Sequence, residues 1–581
     1  MKKSDAIPSQ IDYSVPAEDF FFIPGRDEGL WSVGDIDWYW RPSQRAKVAA
    51  FAVSKIDDHN RRVNDVIDGY TNRRAFSSAI EFNTIPVVVD NFKVVRNLAG
   101  IGSKWLMSGA GGARIRNRYI WGHSENGYEN EAKIVSYFDS VQTSDDLKPI
   151  EPFNGDVADL PFVIEARNLQ NYFHFLTETL PRLQVAVDIK HTGPIVIAYH
   201  KTAIGGFVMD FINALFPEIA KQVELRPAPF QSDRAITTLT FDHYYFQTPD
   251  TIVPGFDEYA PRSWIWQGRR ATRGSFLTFE LNRLHDIQRS LRQRALDAIE
   301  DMDTSHLPKR FWVERSSGGA REREMKNEKK LVDQLKMIGF EVIRLEDFSP
   351  LEQIALMANA EVMTSHHGAG FANMLFAGPQ THVIEIGTPQ TASARWSDFI
   401  PLAHVSGCHY VAFFADLNWA TPEKEPQYGI DGLIPVAVHD NSIKTITRYL
   451  RGLVGEFATN ANKNEVLMTA RHLRRSKSFR ALRTYLDAFP KYVQTDATLL
   501  QIYAKACDET DDPHTTFDAL TALWEMDHTR FQTLEWMIWL TKRLKRPDLS
   551  HILVEEHAAK FPDRHAAFLG KIRWYQRMKS G

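Results

Sequence analysis

The chain of 581 residues has little of several features that would assign it to a class at once. Its two cysteines, Cys408 and Cys507, are too few for a disulfide framework, which favours a reducing compartment. No apolar run approaches the roughly 18 residues that span a bilayer. The opening MKKSDAIPSQIDYS lacks the apolar core of a signal peptide. We therefore expect a cytoplasmic protein, with attachment to the inner face of a membrane left open.

An excess of basic residues is also missing, and so are the common cofactor motifs. The net charge of −4 argues against a general nucleic-acid binder. The chain has no HExxH and no CxxC for zinc, no GxGxxG for a dinucleotide, and no P-loop. The acidic triplets DID (35–37) and DMD (301–303) do not follow clear buried strands. We therefore expect neither a metal site nor a bound cofactor.

What the sequence does contain is alternation of strand and helix patterns, which is typical of α/β domains. Buried-strand runs such as PFVIEA and GPIVIAYH alternate with helical runs such as GFVMDFINALFP, and RNRYIWG is also predicted as a strand. After a long amphipathic stretch, the alternation restarts at KRFWVERS. Ser349 and Glu352 have the spacing of a helix capping box. The predicted fold class is α/β with two facing doubly wound lobes, followed by an all-α domain.

The predicted domains follow these changes of pattern. The boundaries are an aromatic-rich wrapping segment (1–80), a first α/β lobe on the acceptor side (81–270), a connecting helix (271–304), a second α/β lobe for the nucleotide (305–455) and a helical domain (456–581).

The last 120 or so residues are helix-patterned, with Leu499, Leu534 and Leu569 recurring at intervals of 35 residues. The triplets AFP (488–490) and KFP (560–562) are expected to close second helices, two periods apart. A period near 35 with paired helices is typical of tetratricopeptide-like repeats, and an irregular helical bundle is the alternative. The basic run RHLRRSKSFRALR (471–483) suggests contact with a membrane, an acidic glycan or a protein partner, or merely a solvated helix face.

The stretch TSHHGAGFANMLFAGPQTHVIEIGTP (364–389) suggests a binding site. A glycine-rich turn between a strand and a helix presents backbone N–H groups and the helix dipole to phosphate, with Gly368 and Gly370 allowing close approach. His367 is placed to donate to a diphosphate, Asn373 to offer an amide, and Glu385 to bind ribose hydroxyls. The alternative is an ordinary strand–helix turn.

Several motifs in order resemble glycosyltransferase family 61. They are NYFHFLTETLPRL, the strand end WVERS, the segment REREMKNE and the HGAG turn with its following asparagine. The sequence departs from that pattern at His366, where the family has proline. The resemblance implies an inverting enzyme with two facing lobes (GT-B), which uses a nucleotide sugar as donor substrate, transfers to a glycan or lipid-linked glycan, and has no obligatory metal.

The resemblance also implies a set of nucleotide-binding residues. The set is Arg315, Ser316, Arg323, Asn327, His367, Gly368, Ala369, Gly370, Asn373 and Glu385. A guanidinium can chelate phosphate oxygens and replace a metal as the charge that stabilises a leaving diphosphate. Arg323 has the alternative of a solvated loop charge, and Asn327 that of a helix cap.

His174 and Glu178 are four residues apart, which places them on one face of the predicted helix. Inverting transfer needs a general base for the acceptor hydroxyl, and histidine suits that task when a carboxylate holds it. Glu178 is the alternative base, and a structural histidine among aromatics is the alternative role for His174.

Three functions therefore remain open from sequence. The first is a glycosyltransferase of bacterial surface polysaccharide, of the capsule or lipopolysaccharide. The second is another two-lobed polysaccharide-modifying enzyme, such as a pyruvyl transferase. The third is a non-catalytic scaffold in which the helical repeats bind a partner.

Overall fold

The computed structural model describes most of the chain as two compact units. The first unit is Met1–Glu328 with Phe340–Val438, and the second is Lys329–Gly339 with His439–Gly581. Within the described ranges, no helix is both long enough and apolar enough to cross a membrane. The described residues are 11–36, 40–72, 79–121, 127–142, 144–200, 203–240, 283–315, 324–420, 426–456 and 460–580.

The first unit contains a mixed sheet of nine described strands. Its antiparallel part contains two hairpins, whose turns at Arg96 and Gly102 have φ of 59° and 56°, and two pairings of strands distant in sequence. Its parallel part is the region predicted as a parallel sheet. In spatial order the strands are Phe21–Phe22, Lys104–Leu106, Leu98–Ile101, Ile85–Val95, Phe230–Leu239, Phe162–Ala166, Ile195–Tyr199 and Val223–Pro227, with Leu30–Ser32 also paired to Ile85–Val95.

A second sheet in the same unit has six described strands, all parallel. Its strand order reverses between the first and third strands of the lobe, Arg310–Val313 and Val362–His366, which are neighbours. Ligands of open α/β sheets bind at such a reversal, beyond the carboxyl ends of the strands. In spatial order the strands are Glu341–Ile343, Arg310–Val313, Val362–His366, His382–Gly387, His409–Phe414 and Lys47–Ala52.

The predicted wrapping segment supplies strands to both sheets. Phe21–Phe22 and Leu30–Ser32 belong to the first sheet, and Lys47–Ala52 forms the edge of the second beside His409–Phe414. Exposed and buried residues alternate in the first part of the segment. From Phe20 to Ile23 all residues are buried, and these lie in the core. Two small sheets complete the unit: Arg283–His285, Ala79–Phe82 and Trp40–Ser43 form one, and Asp416–Leu417 and Val436–Ala437 form the other.

The strand prediction for RNRYIWG is wrong, because its described residues, 116–121, lie in the helix Gly109–Trp121. Its buried residues Ile115, Tyr119 and Ile120 have helical spacing, and that period outweighs the strand propensity of the aromatic and β-branched residues. Other helices of the unit are Ala17–Phe20, Asp57–Asn72, Gly127–Gln142, Phe207–Leu215, Pro350–Ala358, Pro389–Ala394, Ile400–Ser406 and Tyr428–Asp431.

The predicted long helix at 172–188 is irregular. It begins as α-helix (Tyr172–His174), continues as a π-helical turn (Phe175–Thr179) and a 3-10 turn (Leu180–Arg182), and ends as α-helix (Leu183–Asp188). Pro181 explains the change, since it has no N–H to donate to the carbonyl of Thr177. The side chain of Gln288 donates to that carbonyl instead, at 3.2 Å.

The predicted connecting helix is shorter than expected. It runs over Asp286–Asp297, after the strand Arg283–His285, and 271–282 lie outside the described residues. The capping box at Ser349 and Glu352 is confirmed. The predicted helix after HGAG is a 3-10 helix, Ala369–Phe376.

The second unit is all-helical in its described part. Leu499 and Leu534 are buried near the starts of their helices, whereas Leu569 lies late in its helix and Phe568 is the buried residue there. The triplets AFP (488–490) and KFP (560–562) lie where the helices Phe479–Asp487 and Pro547–Lys560 end, as predicted. Pro490 and Pro562 also begin the next helices, as proline at the first helical position does. The helices are Asp440–Leu453, Lys463–Arg475, Phe479–Asp487, Pro490–Thr495, Ala497–Glu509, Pro513–Met526, Phe531–Arg543, Pro547–Lys560, Pro562–Lys571 and Arg573–Ser580, and Glu328–Lys336 adds residues 329–336. The predicted fold class is therefore confirmed as mixed α/β with parallel sheets, followed by an all-helical region.

Candidate functional site

A cleft of about 1740 Å³ lies in the first unit, between the carboxyl ends of strands from both sheets. Glu165, Arg167 and Thr240 line it from the first sheet, and Arg315 and His367 line it from the second. Both walls therefore carry charged groups, and the loops that follow the strands supply them.

The strand-order reversal of the second sheet places Arg315 against the HGAG turn. An Arg315 Nη1 donates to the carbonyl of His367 at 3.4 Å, and a Cβ on Gly368 would lie only 3.2 Å from Arg315 Cζ. Gly368 therefore lets the guanidinium cross the turn. Burial lowers the pKa of Arg315, while the carboxylates of Glu328 and Glu346 act in the opposite direction. An anion that binds here competes with those two carboxylates.

His367 is fixed by a buried chain of polar groups. Its Nδ1 lies 2.6 Å from Oε1 of Glu385, whose other oxygen accepts a hydrogen bond from Tyr410. Burial, followed by the charge of Glu385, raises the pKa of the Tyr410 hydroxyl. Glu385 is 1% exposed and is not among the residues that line the cleft, so in this structure it orients His367.

Asn373 connects the HGAG segment to the helix at 172. The hydroxyl of Tyr172 lies 2.9 Å from Oδ1 of Asn373 and 3.0 Å from Oε1 of Gln353. The Asn373 amide donates to the carbonyl of Gly370 at 3.3 Å. Asn373 is fully buried, so its contacts in the structure are with the protein.

His174 and Glu178 are brought together across the π-helical turn. Nδ1 of His174 lies 2.9 Å from Oε1 of Glu178, and both side chains line the cleft. Two guanidiniums also contact the carboxylate, Arg114 at 3.2 Å and Arg167 at 3.3 Å. Burial alone would raise the pKa of Glu178, but the His174 hydrogen bond and these charges lower it to about 2. Glu178 is therefore ionised at neutral pH.

The sequence did not indicate Arg114, Arg167 or Asp398 as parts of the site. Arg167 follows the end of a strand, a position that could have indicated a site residue. Arg114 lies in the helix Gly109–Trp121, part of which the sequence predicts as a strand. Asp398 also lines the cleft, close enough to both histidines for their charges to act on it, and Arg395 approaches it at 3.5 Å. Burial raises the pKa of Asp398, opposed by the charges of Arg395 and His367.

The remaining predicted residues fall into three groups. Gly368, Ala369 and Gly370 line the cleft beside His367. Asn327 has a positive φ of 66°, donates to the carbonyl of Val438 at 2.7 Å and is not among the lining residues. Ser316 and Arg323 lie outside the described residues. His366, the departure from the family pattern, is buried and also lines the cleft.

The comparison with protein families agrees with this geometry. The model of the family Glycosyltransferase 61 matches residues 172–384, which run from the Tyr172 helix through HGAG to the strand that carries Glu385. The resemblance seen in the sequence is thereby confirmed for this part of the chain, and the match supports glycosyltransferase activity. A comparison with curated proteins found no match.

Proposed function

We propose that the protein is an inverting glycosyltransferase that moves a sugar from a nucleotide-sugar donor to a glycan acceptor without a metal. The observation that carries the proposal is the meeting of Arg315 with the His367–Gly370 turn at the strand-order reversal of the second sheet. Backbone N–H groups, a guanidinium and an imidazole converge there, and such groups bind diphosphate.

Arg315 and His367 have the role of stabilising the leaving nucleoside diphosphate. As the bond between the anomeric carbon and the diphosphate oxygen breaks, negative charge develops on that oxygen. A fixed guanidinium lowers the energy of this charge most when water is excluded. Arg323 and Ser316 are proposed to extend the contact, and Asn373 and Glu385 to position the turn.

His174, which lines the same cleft, is the proposed general base. Glu178 holds Nδ1, which leaves Nε2 as the nitrogen that takes the proton from the acceptor hydroxyl. The acceptor oxygen then attacks the anomeric carbon as the diphosphate departs from the other side, and this inverts the configuration. Glu178 is a weaker candidate for the base, because its low pKa makes it a poor proton acceptor.

Isothermal titration calorimetry with uridine diphosphate and other nucleoside diphosphates tests the nucleotide site. We expect Arg315→Ala and His367→Ala each to weaken binding by about 1.5 to 3 kcal/mol, as charge-assisted hydrogen bonds do. Arg310→Ala is the matched control, because Arg310 begins the strand that ends just before Arg315, and it pairs with Glu361. Unchanged affinity in both site variants would exclude this assignment.

The biological setting proposed is bacterial surface-polysaccharide synthesis in the cytoplasm, which rests on the family resemblance. The helical unit is proposed to be tetratricopeptide-like and to bring the enzyme to a membrane, a growing glycan or a protein partner. Its basic run spans two helices, Lys463–Arg475 and Phe479–Asp487, and Arg474, Arg475 and Arg480 are exposed.

A further inference from the structure

The wall of the cleft that belongs to the first sheet contains buried polar atoms without partners. Nε of Arg114, Oδ1 of Asn97 and Oγ1 of Thr240 make no hydrogen bond to any residue that the structure describes. All three residues line the cleft. Buried polar groups are normally paired, so a group of such atoms at one wall indicates a ligand that completes them.

The start of a glycine-rich helix lies at the same wall. The helix Gly109–Trp121 begins in the cleft, where Ser108, Gly109 and Gly111 are lining residues. Its first backbone hydrogen bond runs from Gly112 to Ser108. The N–H groups at the start of a helix have no partner within it, and together with the helix dipole they attract an anion.

Arg114 follows one turn later and is held in place from two sides. It donates to the carbonyl of Asn97 at 3.0 Å and to Glu178 at 3.2 Å, and its side chain is only 10% exposed. The amide nitrogen of Asn97 donates to the carbonyl of Arg167 at 3.3 Å, so Oδ1 is the atom left as an acceptor. Thr240 reaches the same place through its N–H, which donates to Ser108 at 3.1 Å.

The local charge balance favours an anion. Arg114, Arg167 and Arg182 carry three positive charges, against the two carboxylates of Glu165 and Glu178. Glu165 lies near the helix start, since a Cβ on Gly111 would be 3.3 Å from its Oε1, but Arg182 pairs with its other oxygen at 2.8 Å. Arg167 is the most accessible of the three arginines, since 38% of its side chain is exposed. It contacts Glu178 at 3.3 Å.

We propose that this wall is an acceptor subsite for an acidic saccharide, in which a carboxylate or phosphate group of the glycan binds Arg167, Arg114 and the start of helix Gly109–Trp121. The sugar hydroxyls supply the missing hydrogen-bond partners of Asn97 Oδ1 and of the Thr240 hydroxyl. A neutral glycan would form hydrogen bonds with Asn97 and Thr240, but it would bring no negative charge to balance the arginines. The assignment to an acceptor rests on the proposed glycosyltransferase function.

The test uses the full-length protein and calorimetry with two pairs of probes. One pair is a tetragalacturonate and its methyl ester, and the other is galactose 1-phosphate and galactose. We expect at least one acidic probe to bind about tenfold or more tightly than its neutral counterpart, the scale of a charge-assisted hydrogen bond. A preference for the uronate or for the phosphate identifies which acid is recognised, and either supports the subsite. Equal affinity within both pairs overturns it.

Three variants locate the site. Arg167→Gln should abolish most of the preference for the acidic probe. Gly111→Ala should weaken acid binding by obstructing the helix start, while alanine favours the helix itself. Thr240→Val should weaken binding several-fold and raise the thermal midpoint, because it removes a buried hydroxyl without a partner. Thr447→Val is the matched control, since its buried hydroxyl also lacks a described partner and lies in the helical unit.

Two results separate this inference from the proposed function. If nucleoside diphosphates bind and no acidic probe binds, the subsite is wrong and the donor site stands. If acidic probes bind as expected and no nucleotide binds, the subsite stands and the proposed glycosyltransferase function fails. A lower midpoint for Thr240→Val with unchanged saccharide affinity would show that its hydroxyl serves a structural water, and would also overturn the assignment.

Discussion

The hydroxyl of Tyr172 lies 2.9 Å from the side-chain oxygen of Asn373, and this contact joins two sequence motifs that are 201 residues apart. Tyr172 begins the irregular helix that carries His174 and Glu178, and Asn373 lies in the 3-10 helix that follows the HGAG turn. This buried hydrogen bond therefore fixes the position of the proposed base relative to the proposed diphosphate site.

Tyr172→Phe should destabilise the protein by about 1 to 3 kcal/mol, because it leaves the buried oxygen of Asn373 without this partner. Chemical denaturation followed by circular dichroism measures the change. The control is Tyr199→Phe, whose hydroxyl makes no hydrogen bond to a described residue. Equal effects of the two substitutions would show that the Tyr172 hydroxyl contributes no specific stability.

His174→Ala should lower kcat by about 100-fold or more, the usual contribution of a general base. Nucleotide affinity should stay unchanged, because His174 is held by Glu178 and is not among the proposed diphosphate contacts. His306→Ala is the control, since that histidine is more than half exposed. If Glu178→Gln abolishes turnover and His174→Ala does not, the carboxylate is the base and the histidine positions it.

The stability of the protein should depend on the ionisation of Glu178 at acidic pH. Its pKa of about 2 in the folded state lies below the ordinary value of 4.5, so the folded state binds this proton less readily than the unfolded state. The stabilisation is complete above about pH 4.5 and is lost as the pH falls toward about 2. The difference in thermal midpoint between the wild type and Glu178→Gln should therefore shrink below pH 4.5. A difference that stays constant through that range would contradict the assignment.

Transfer activity should persist in an excess of EDTA, because arginine and backbone N–H groups are proposed to stabilise the leaving diphosphate. The measurement compares initial rates before and after chelation, with manganese and magnesium added back separately. Complete loss in EDTA, with recovery on metal addition, would mean that a cation carries the role given to Arg315.

A protein truncated after residue 455 should still bind nucleotide, since every proposed donor contact lies before that residue. This truncation keeps the helix Asp440–Leu453, whose Asp440 pairs with Lys330 of the same compact unit. A truncation after residue 438 removes that helix and is expected to expose apolar surface. Circular dichroism first confirms folding, and calorimetry then compares affinities. A folded protein ending at 455 that binds no nucleotide would show that the helical unit builds part of the site.

The sequence predicted those parts of the fold whose signals are local. Strand and helix alternation located the second sheet, and the spacing of Ser349 and Glu352 predicted a cap that forms. The triplets AFP and KFP predicted the ends of two helices, but not that Pro490 and Pro562 begin the next ones. The π-helical turn at 175–179 was less predictable, because the Thr177 carbonyl that Pro181 leaves unpaired accepts its hydrogen bond from Gln288, more than 100 residues away.

Site residues within a sequence motif were predictable, whereas those that distant segments bring together were not. His174 and Glu178 share a face through i,i+4 spacing, which one segment determines. Arg114 and Arg167 reach Glu178 from a helix start and a strand end, so only the tertiary fold brings them together. No spacing in the sequence links Asp398 to the two histidines.

The edge strand Lys47–Ala52 bears on how the chain folds during synthesis. It pairs with His409–Phe414, and the contact between Lys47 and His409 spans 362 positions. Closing so long a loop is slow relative to forming local structure. After the first sheet has been synthesised, the strand Lys47–Ala52 therefore stays unpaired until His409–Phe414 has also been made. The second lobe cannot be completed by residues 305–455 alone, and an isolated fragment of that range is expected to present an open sheet edge.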